Sequence, residues 1–281
     1  MKIKDALKKA FDEGKGAGIM ALDLRLLLMD DQGFKNQIDV LVKGDEELKD
    51  PELFFSQVER LKEGEPVEYI THQTEFLNNQ FYVDNRVLIP RGETEELVAL
   101  ITERVSDYFD PRNYLVVADI GTGSGAIAIT LKEYFPSWLI TGSDISKDAL
   151  EVAKINKEKH GANIRLLQGD ALRPYMAEKM NLDIIVSNPP YITENEYLQN
   201  SVKEFEPSSA LYFKEDDNVY LKIFREYKNV MKNQLLMFFE ISPELVPYLE
   251  KIMKTYLSNY SYQFLDDLNG FKRFLIVFVK A

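Results

Sequence analysis

Apolar and polar positions repeat with a helical period through the first seventy-odd residues. MKIKDALKKAFDEG places Ile3, Ala6, Leu7, Ala10 and Phe11 at spacings that share one helix face. The Leu-rich segment IMALDLRLLLMDD follows. Asp50-Pro51 then opens PELFFSQVERLKEG, with proline at the first helical position and Gly64 near the end. No strand pattern interrupts this stretch, which predicts a helical domain over residues 1–74 with a charged turn around LVKGDEELKDPE. The pattern changes at residue 75. EFLNNQFYVDNRVLIP holds two short β-like runs with a turn-forming Asn78-Asn79 pair, so a β-hairpin linker is expected over 75–90. Pro90 ends it, and TEELVALITERVSDYF reads as a helix.

From Leu115 onward apolar runs of strand length alternate with helical stretches. The runs are LVVADIG, WLITGSDI, IRLLQGD, LDIIVSNPPY, QLLMFFEI and RFLIVFVK; AIAITLKEYF and SKDALEVAKINKEKHG separate earlier members. Near-continuous apolar strands between helices predict an α/β domain over 91–281, its mostly parallel sheet covered on both faces. SYQFLDDL and RFLIVFVK are joined through Asn269-Gly270, which suits an antiparallel C-terminal hairpin at the sheet edge.

Composition narrows the chemistry. The 281 residues carry a net charge of −12, no cysteine and two histidines. Disulfides, thiolate metal sites and thiol catalysis are excluded, and no metal is expected. The acidic balance argues against binding along a phosphate backbone, so no direct nucleic-acid partner is expected. No apolar run is long enough to span a bilayer, and the N-terminus has no apolar signal core. A cytoplasmic protein without a membrane partner is the expectation.

Asp119-Ile-Gly-Thr-Gly-Ser-Gly125 follows the first strand of the alternating region and opens a helix. Its glycines permit a tight turn and close approach to a ligand, and the helix N-terminus favours a negative group such as a carboxylate. The spacing is G-x-G-x-G, where a dinucleotide fingerprint is G-x-G-x-x-G. Asp144 ends the second strand, 23 residues beyond Gly121, where an acid caps a ribose diol and repels a 2′-phosphate. An N-cap role for Asp144 on the helix beginning near Ser146 is compatible with the same position. Asp170 ends the third strand at the ligand-binding edge of such sheets, where adenine contact and a plain surface acid are both open readings.

Asn188-Pro189-Pro190-Tyr191 ends the fourth strand. The prolines fix their own φ angles and hold Asn188 extended, which makes a rigid ledge of carbonyls and one side-chain amide. Asn188 Oδ1 and the Pro189 carbonyl are placed to accept the two hydrogens of a planar NH2, and Tyr191 to stack on its face. Such a ledge suits methyl transfer from S-adenosylmethionine to a delocalised, weakly nucleophilic nitrogen. Acceptors that grip the N–H bonds as nitrogen turns tetrahedral favour the transition state over the ground state. A sulfonium donor needs neither metal nor histidine, only alignment.

The pairing of DIGTGSG with NPPY resembles the class I S-adenosylmethionine-dependent methyltransferases, with their Rossmann-like sheet. GEPVEYITHQTEF, FYVDNRVLIPRGETEELV, DIGTGSGAIAI, SNPPYI and DLNGFKRFLIVF in this order are similar to the release factor glutamine methyltransferases, from about residue 64 to the C-terminus. PRGETEEL sets these apart from the related ribosomal-protein glutamine methyltransferases. The resemblance implies N5-methylation of the glutamine in the Gly-Gly-Gln loop of peptide-chain release factors. It implies that Gly121, Thr122, Gly123, Ser124 and Gly125 hold the methionine part of the cofactor, Asp144 its ribose, and Asp170 and Ala171 its adenine. It further implies that Asn188, Pro189, Pro190 and Tyr191 hold the glutamine amide, with Asn188 also at the cofactor. Arg91, Glu93 and Thr94 would shape the site wall, although helix capping by Thr94 and a surface ion pair account for them equally. The helical N-terminal domain fits the family's extra domain, which is a candidate for substrate docking. This chain departs from the family in three places: His72 stands where glycine is usual, YFKEDDN follows EPSSAL where Gly-Asp-Gly is usual, and Glu240-Ile-Ser-Pro replaces Glu-x-Gly. Three other readings stay open: an adenine N6 or other exocyclic-amine methyltransferase of nucleic acid, a methyltransferase of a ribosomal protein, and a non-catalytic cofactor-binding protein.

Overall fold

The computed structural model describes residues 1–193 and 200–281. In chain order its elements are α1 (Ile3–Gly14), α2 (Ala21–Gln32), α3 (Gln37–Val42), α4 (Pro51–Lys62), α5 (Val67–Thr71), β1 (Thr74–Phe76), β2 (Asn79–Phe81), α6 (Gly92–Arg104), β3 (Val116–Ile120), α7 (Ala126–Tyr134), β4 (Leu139–Asp144), α8 (Lys147–Lys159) and β5 (Arg165–Gln168). There follow α9 (Arg173–Ala177), β6 (Leu182–Ser187), α10 (Asn200–Phe205), α11 (Val219–Glu226), β7 (Met231–Glu240), α12 (Val246–Tyr256), β8 (Tyr260–Asp266) and β9 (Lys272–Lys280). Two compact units emerge. One holds residues 1–73 and 83–85 with α10; the other holds residues 74–82, 86–193 and 206–281.

The first unit is helical. Ile3, Ala6 and Ala10 of α1, Leu24, Leu27 and Leu28 of α2, and Phe54 and Val58 of α4 form its core. Phe11, which the helical spacing assigns to the apolar face of α1, is exposed instead, with the Lys15 ammonium 6.0 Å from its ring centre. Asp50 caps α4 by accepting from the Leu53 amide at 2.9 Å, and Pro51 occupies the first helical position. The short helix α3 has no counterpart in the expected pattern; its six residues end in the Leu41-Val42 pair that opens the charged turn. His72 ends α5 with φ 56°, in the left-handed region that favours glycine. A glycine would take this conformation without strain, which gives His72 a structural place at the end of α5.

The second unit is built on a seven-stranded sheet in the order β5-β4-β3-β6-β7-β9-β8. β3 to β7 run parallel; β9 pairs antiparallel with both β7 and β8. The C-terminal hairpin therefore does form, with β8 at the edge and β9 inserted beside β7. Helices cover both faces, as the continuous apolar strands required. One face packs against Leu97, Val98 and Ile101 of α6 and Ala128 and Leu131 of α7. The other packs against Tyr220 and Phe224 of α11 and Leu249 and Met253 of α12. The chain enters at β3, moves outward to β4 and β5, then returns to β6 on the other side of β3. That reversal opens a crevice at the carboxyl ends of β3 and β6, the place where ligands bind in open α/β sheets.

The expected hairpin near residue 75 is real but shorter, and its turn sits one residue earlier. Leu77 and Asn78 are its central residues, with φ values of 47° and 64°. Positive φ at both positions matches the twist of flanking strands. Leu77 is held there by its amide, which donates to Glu95 Oε1 at 2.9 Å. The second β-like run, RVLIP, forms no strand; Val87 and Ile89 are buried through extended chain instead. Phe76 and Phe81 of the hairpin join the core on the α6 and α7 face of the sheet.

Candidate functional site

The glycine loop connects β3 to α7. Gly121, Gly123 and Gly125 have φ of 75°, 54° and 83°. A Cβ at Gly121 or Gly123 would meet nothing within 4 Å, so backbone conformation rather than space calls for glycine there. The loop is held from below. The Gly121 and Thr122 amides both donate to Ser143 O, at 2.8 and 2.9 Å, and the Gly123 amide donates to Asp144 Oδ2 at 3.0 Å. Thr122 Oγ1 donates to Asp119 Oδ2 at 2.6 Å, and the same oxygen accepts from the Ala128 amide at 3.2 Å. Asp119 is fully buried, and burial pushes its carboxyl up to about 7 against the two hydrogen bonds. The loop amides thus brace the turn instead of standing as an open row of anion donors.

Asp144 lies at the end of β4 in the same cavity. Its Oδ1 accepts from the Ser146 amide at 2.9 Å, and each oxygen keeps acceptor capacity for a diol. Burial raises its pKa, partly offset by backbone amides. The N-cap of α8 is Ser146, whose side chain accepts from the Ala149 amide at 3.2 Å; Asp144 supports the cap without being it. Asp170 accepts from Lys222 Nζ at 3.0 Å, and Ala171 holds a left-handed φ of 47° although it is buried. A residue of this kind persists only where its surroundings fix it, here at the cavity wall.

One cavity collects these groups. Its empty volume is about 1030 Å³, open mouth included, and Gly121, Thr122, Gly123, Ser124, Asp144, Asp170, Ala171, Asn188, Pro190 and Thr94 are among its lining. Gly125 stands behind the loop, where a Cβ would come within 3.2 Å of Ile129 Cδ1. Pro189 and Tyr191 are not lining residues; Pro189 is buried beneath the ledge. β6 delivers the ledge, and Ser187 Oγ donates to Ile120 O at 2.6 Å, tying the ledge to the root of the glycine loop.

From the ledge a hydrogen-bonded chain runs to β7 through pairings that no spacing in the sequence marks. Asn188 Nδ2 donates to Thr94 Oγ1 at 3.0 Å, Thr94 Oγ1 donates to Glu240 Oε2 at 2.8 Å, and the Tyr191 hydroxyl donates to Glu240 Oε1 at 2.9 Å. Thr94 lies in the first turn of α6 yet caps nothing; its hydroxyl reaches across to β7. Arg91 pairs with the buried carboxylate of Glu206, which also accepts from the Ile89 amide at 3.4 Å. This fixes the extended segment that brings Arg86, Val87, Leu88 and Pro90 to the cavity. Glu93 is half-buried and is not among the lining residues. Glu240, the last residue of β7, and Glu206, the first residue of EPSSAL, carry no local signal beyond those places.

A seven-stranded sheet of this order, a glycine loop at its switch point and an acid after the second strand define a class I methyltransferase fold. Residues 102–240 match the family model described as Methyltransferase small domain. The chain belongs to the release factor glutamine methyltransferase family. It is 39% identical over 273 residues to the Release factor glutamine methyltransferase of Bacillus subtilis (strain 168), covering 95% of this chain and 94% of that one. It is 36% identical over 254 residues to the enzyme of that name from Clostridium acetobutylicum, covering 87% of each. Among solved structures it is similar in fold to a T. thermophilus 16S rRNA N2 G1207 methyltransferase, with a TM-score of 0.53 at 16% identity, covering 74% of this chain and 49% of that one. Among the described residues, no helix is long and apolar enough to cross a membrane, and no group of side chains is suited to hold a metal ion.

Proposed function

We propose that the chain transfers a methyl group from S-adenosylmethionine to the side-chain nitrogen of the glutamine in the Gly-Gly-Gln loop of peptide-chain release factors, in the cytoplasm. The observation that carries the reading is the state of Asn188. Its NH2 end donates to Thr94, which turns Oδ1 the other way as the acceptor at the ledge beside the glycine loop. An acceptor there suits a substrate that presents N–H, as a carboxamide does.

The residues present fit the cofactor. Gly121 and Gly123 leave open space that a side chain would fill, and Asp144 retains acceptor capacity on both oxygens. Gly121 to Gly125 would face its methionine part, Asp144 its ribose, and Asp170 with Ala171 its adenine. When bound, it supplies an electrophilic methyl on a sulfonium. The chain's own part is then orientation and charge. Asn188 Oδ1, the ledge acceptor that lines the cavity, takes one N–H bond of the glutamine amide and holds its nitrogen toward the donor; the second N–H is assigned to the Pro189 carbonyl by the motif alone, since Pro189 itself lies behind the cavity wall. Those bonds strengthen as nitrogen loses conjugation and becomes more acidic, so they lower the barrier more than the ground state. The ledge cannot flex out of register, because neither proline has a rotatable φ. All these residues belong to the sheet unit, and we assign the helical N-terminal unit to docking of the protein substrate.

Incubation with a labelled methyl donor and either release factor, ribosomal protein or nucleic acid tests the reading. Label is expected on a release-factor glutamine. Label on nucleic acid or ribosomal protein, or on no substrate, overturns it.

A further inference from the structure

A threonine hydroxyl has one proton to give. In Thr94 it is given to Glu240 Oε2, so the oxygen can only accept from its other neighbour, Asn188. A carboxamide facing that oxygen must present Nδ2, and its Oδ1 must point the other way. We propose that Glu240 is a positioning residue for methyl transfer, acting through Thr94 to hold the Asn188 carboxamide with its acceptor oxygen toward the substrate nitrogen. The inference rests on the glutamine reading above.

The placement of Glu240 supports this role. It closes β7 at the carboxyl edge of the sheet and is fully buried. Each packed neighbour contributes a group that faces it. α6 gives Thr94 and the charge of Glu93, the ledge gives Tyr191, α11 gives Tyr220, and β9 gives Arg273. Tyr220 bonds the Glu240 main-chain oxygen at 2.6 Å and so fixes the backbone. The Arg273 guanidinium is held by Asp267 and the Ile241 carbonyl and lies 5.8 Å from the Tyr191 ring centre. With Thr94 and Tyr191 both donating, each carboxylate oxygen has its partner. A charged carboxylate accepts from both. A protonated one has to donate through one oxygen, and when that is Oε2 the Thr94 proton swings toward Asn188. The carboxamide then turns its oxygen to Thr94 and its NH2 to the substrate, donor against donor. Burial pushes Glu240 up to about 7, so this exchange falls in the neutral range.

The test uses purified full-length protein with release factor as acceptor. Thr94→Val removes the hydroxyl at nearly constant volume and should lower kcat at least 30-fold while the cofactor Kd changes less than threefold. Thr94→Ser restores the hydroxyl and should return kcat to within threefold of wild type. Wild-type kcat should rise with pH through the neutral range, and Glu240→Gln should be slower and lose that rise. Wild-type kcat in Thr94→Val, equal losses in the Val and Ser variants, or an unchanged pH profile in Glu240→Gln would each overturn the positioning role. A second reading needs no turnover. The Asn188 side-chain amide resonances should shift with pH near neutrality in wild type and not in Glu240→Gln; absence of that shift overturns the proposal. If the shift is present and wild type methylates no release factor, the positioning role stands and the glutamine reading falls.

Discussion

The two halves of the site each rest on a buried carboxylate that takes a threonine hydroxyl. Under the cofactor half, Asp119 accepts from Thr122 and from the Ala128 amide. Under the acceptor half, Glu240 accepts from Thr94 and Tyr191. The difference lies in reach. Asp119 and its partners lie within one short stretch of chain, from β3 to the first turn of α7, and what they hold is backbone: the glycine turn at the cavity wall. Glu240, at the end of β7, gathers side chains from α6 and the ledge, and what it holds is one carboxamide. A site that binds through backbone is assembled locally. A site that must aim a side chain recruits distant support. The same contrast separates binding from turnover, and single changes in each half should report on one and spare the other.

The largest expected effect is Asn188→Ala. Removing the oxygen that grips the substrate nitrogen should lower kcat about 10²–10³-fold, the loss typical of one transition-state acceptor or donor. Calorimetric cofactor affinity should stay near wild type. A parallel loss of cofactor binding would dissolve the division into halves. Next is Asp144→Ala, which deletes the diol acceptor and the brace on the Gly123 amide. Cofactor Kd should rise about 10- to 100-fold, or roughly 1.4–2.8 kcal/mol, with kcat at saturating cofactor little changed. An unaltered Kd refutes the ribose assignment.

This reach also decides what can be read along the chain. The sheet, its parallel order and the C-terminal hairpin follow from apolar runs that announce themselves locally. DIGTGSG, Asp144 and NPPY are contiguous or at fixed spacing, so their residues are legible in the sequence alone. The pairings of Thr94, Glu206 and Glu240 are not, because the partners lie 94, 115 and 146 positions apart and no period links them. Glu240 is visible in the sequence only as the acid near the end of an apolar run, QLLMFFEI, with nothing local to mark its partners. The hairpin turn falls one residue before the Asn78-Asn79 pair because Leu77 adopts a left-handed conformation that its own type disfavours, held by a distant Glu95. The sequence suggests a stacking face for Tyr191 but says nothing of its hydroxyl, which is bonded to Glu240.

Gly142→Ala sharpens the comparison from the cofactor side with a smaller effect. Gly142 is in β4, and a Cβ there would lie 2.7 Å from Thr122 Oγ1 and 3.1 Å from Thr122 Cβ. The threonine has no room to keep its bond to Asp119. Stability should fall by about 1–3 kcal/mol, as for other overpacked sites. Cofactor affinity should drop by less than in Asp144→Ala. Thermal denaturation with and without cofactor separates the two effects; a variant with wild-type Tm would mean the strand yields freely.

The smallest expected effect is on stability against pH, and here the halves should behave alike in one respect and oppose each other in another. Asp119 and Glu240 are each raised to about 7 from ordinary values of 3.8 and 4.5. A carboxyl with a raised folded pKa contributes stability that is fully present below its unfolded pKa and is lost as pH climbs through the folded one. Between about pH 4 and pH 7, therefore, ionising each group costs folding free energy, and Tm should decline toward alkaline pH. Asp119→Asn and Glu240→Gln should each flatten that decline by at least about 2–4 °C, the shift expected for 1 kcal/mol in a domain of this size. Comparing each variant with wild type cancels the other groups that titrate in this window, such as Asp31, raised to about 6 by burial. Turnover should run the other way for Glu240 alone, since the proposed aim of Asn188 needs the ionised form that folding disfavours. If Asp119→Asn also abolishes the neutral rise in kcat, the two carboxylates act as one device and the separation of binding from turnover fails.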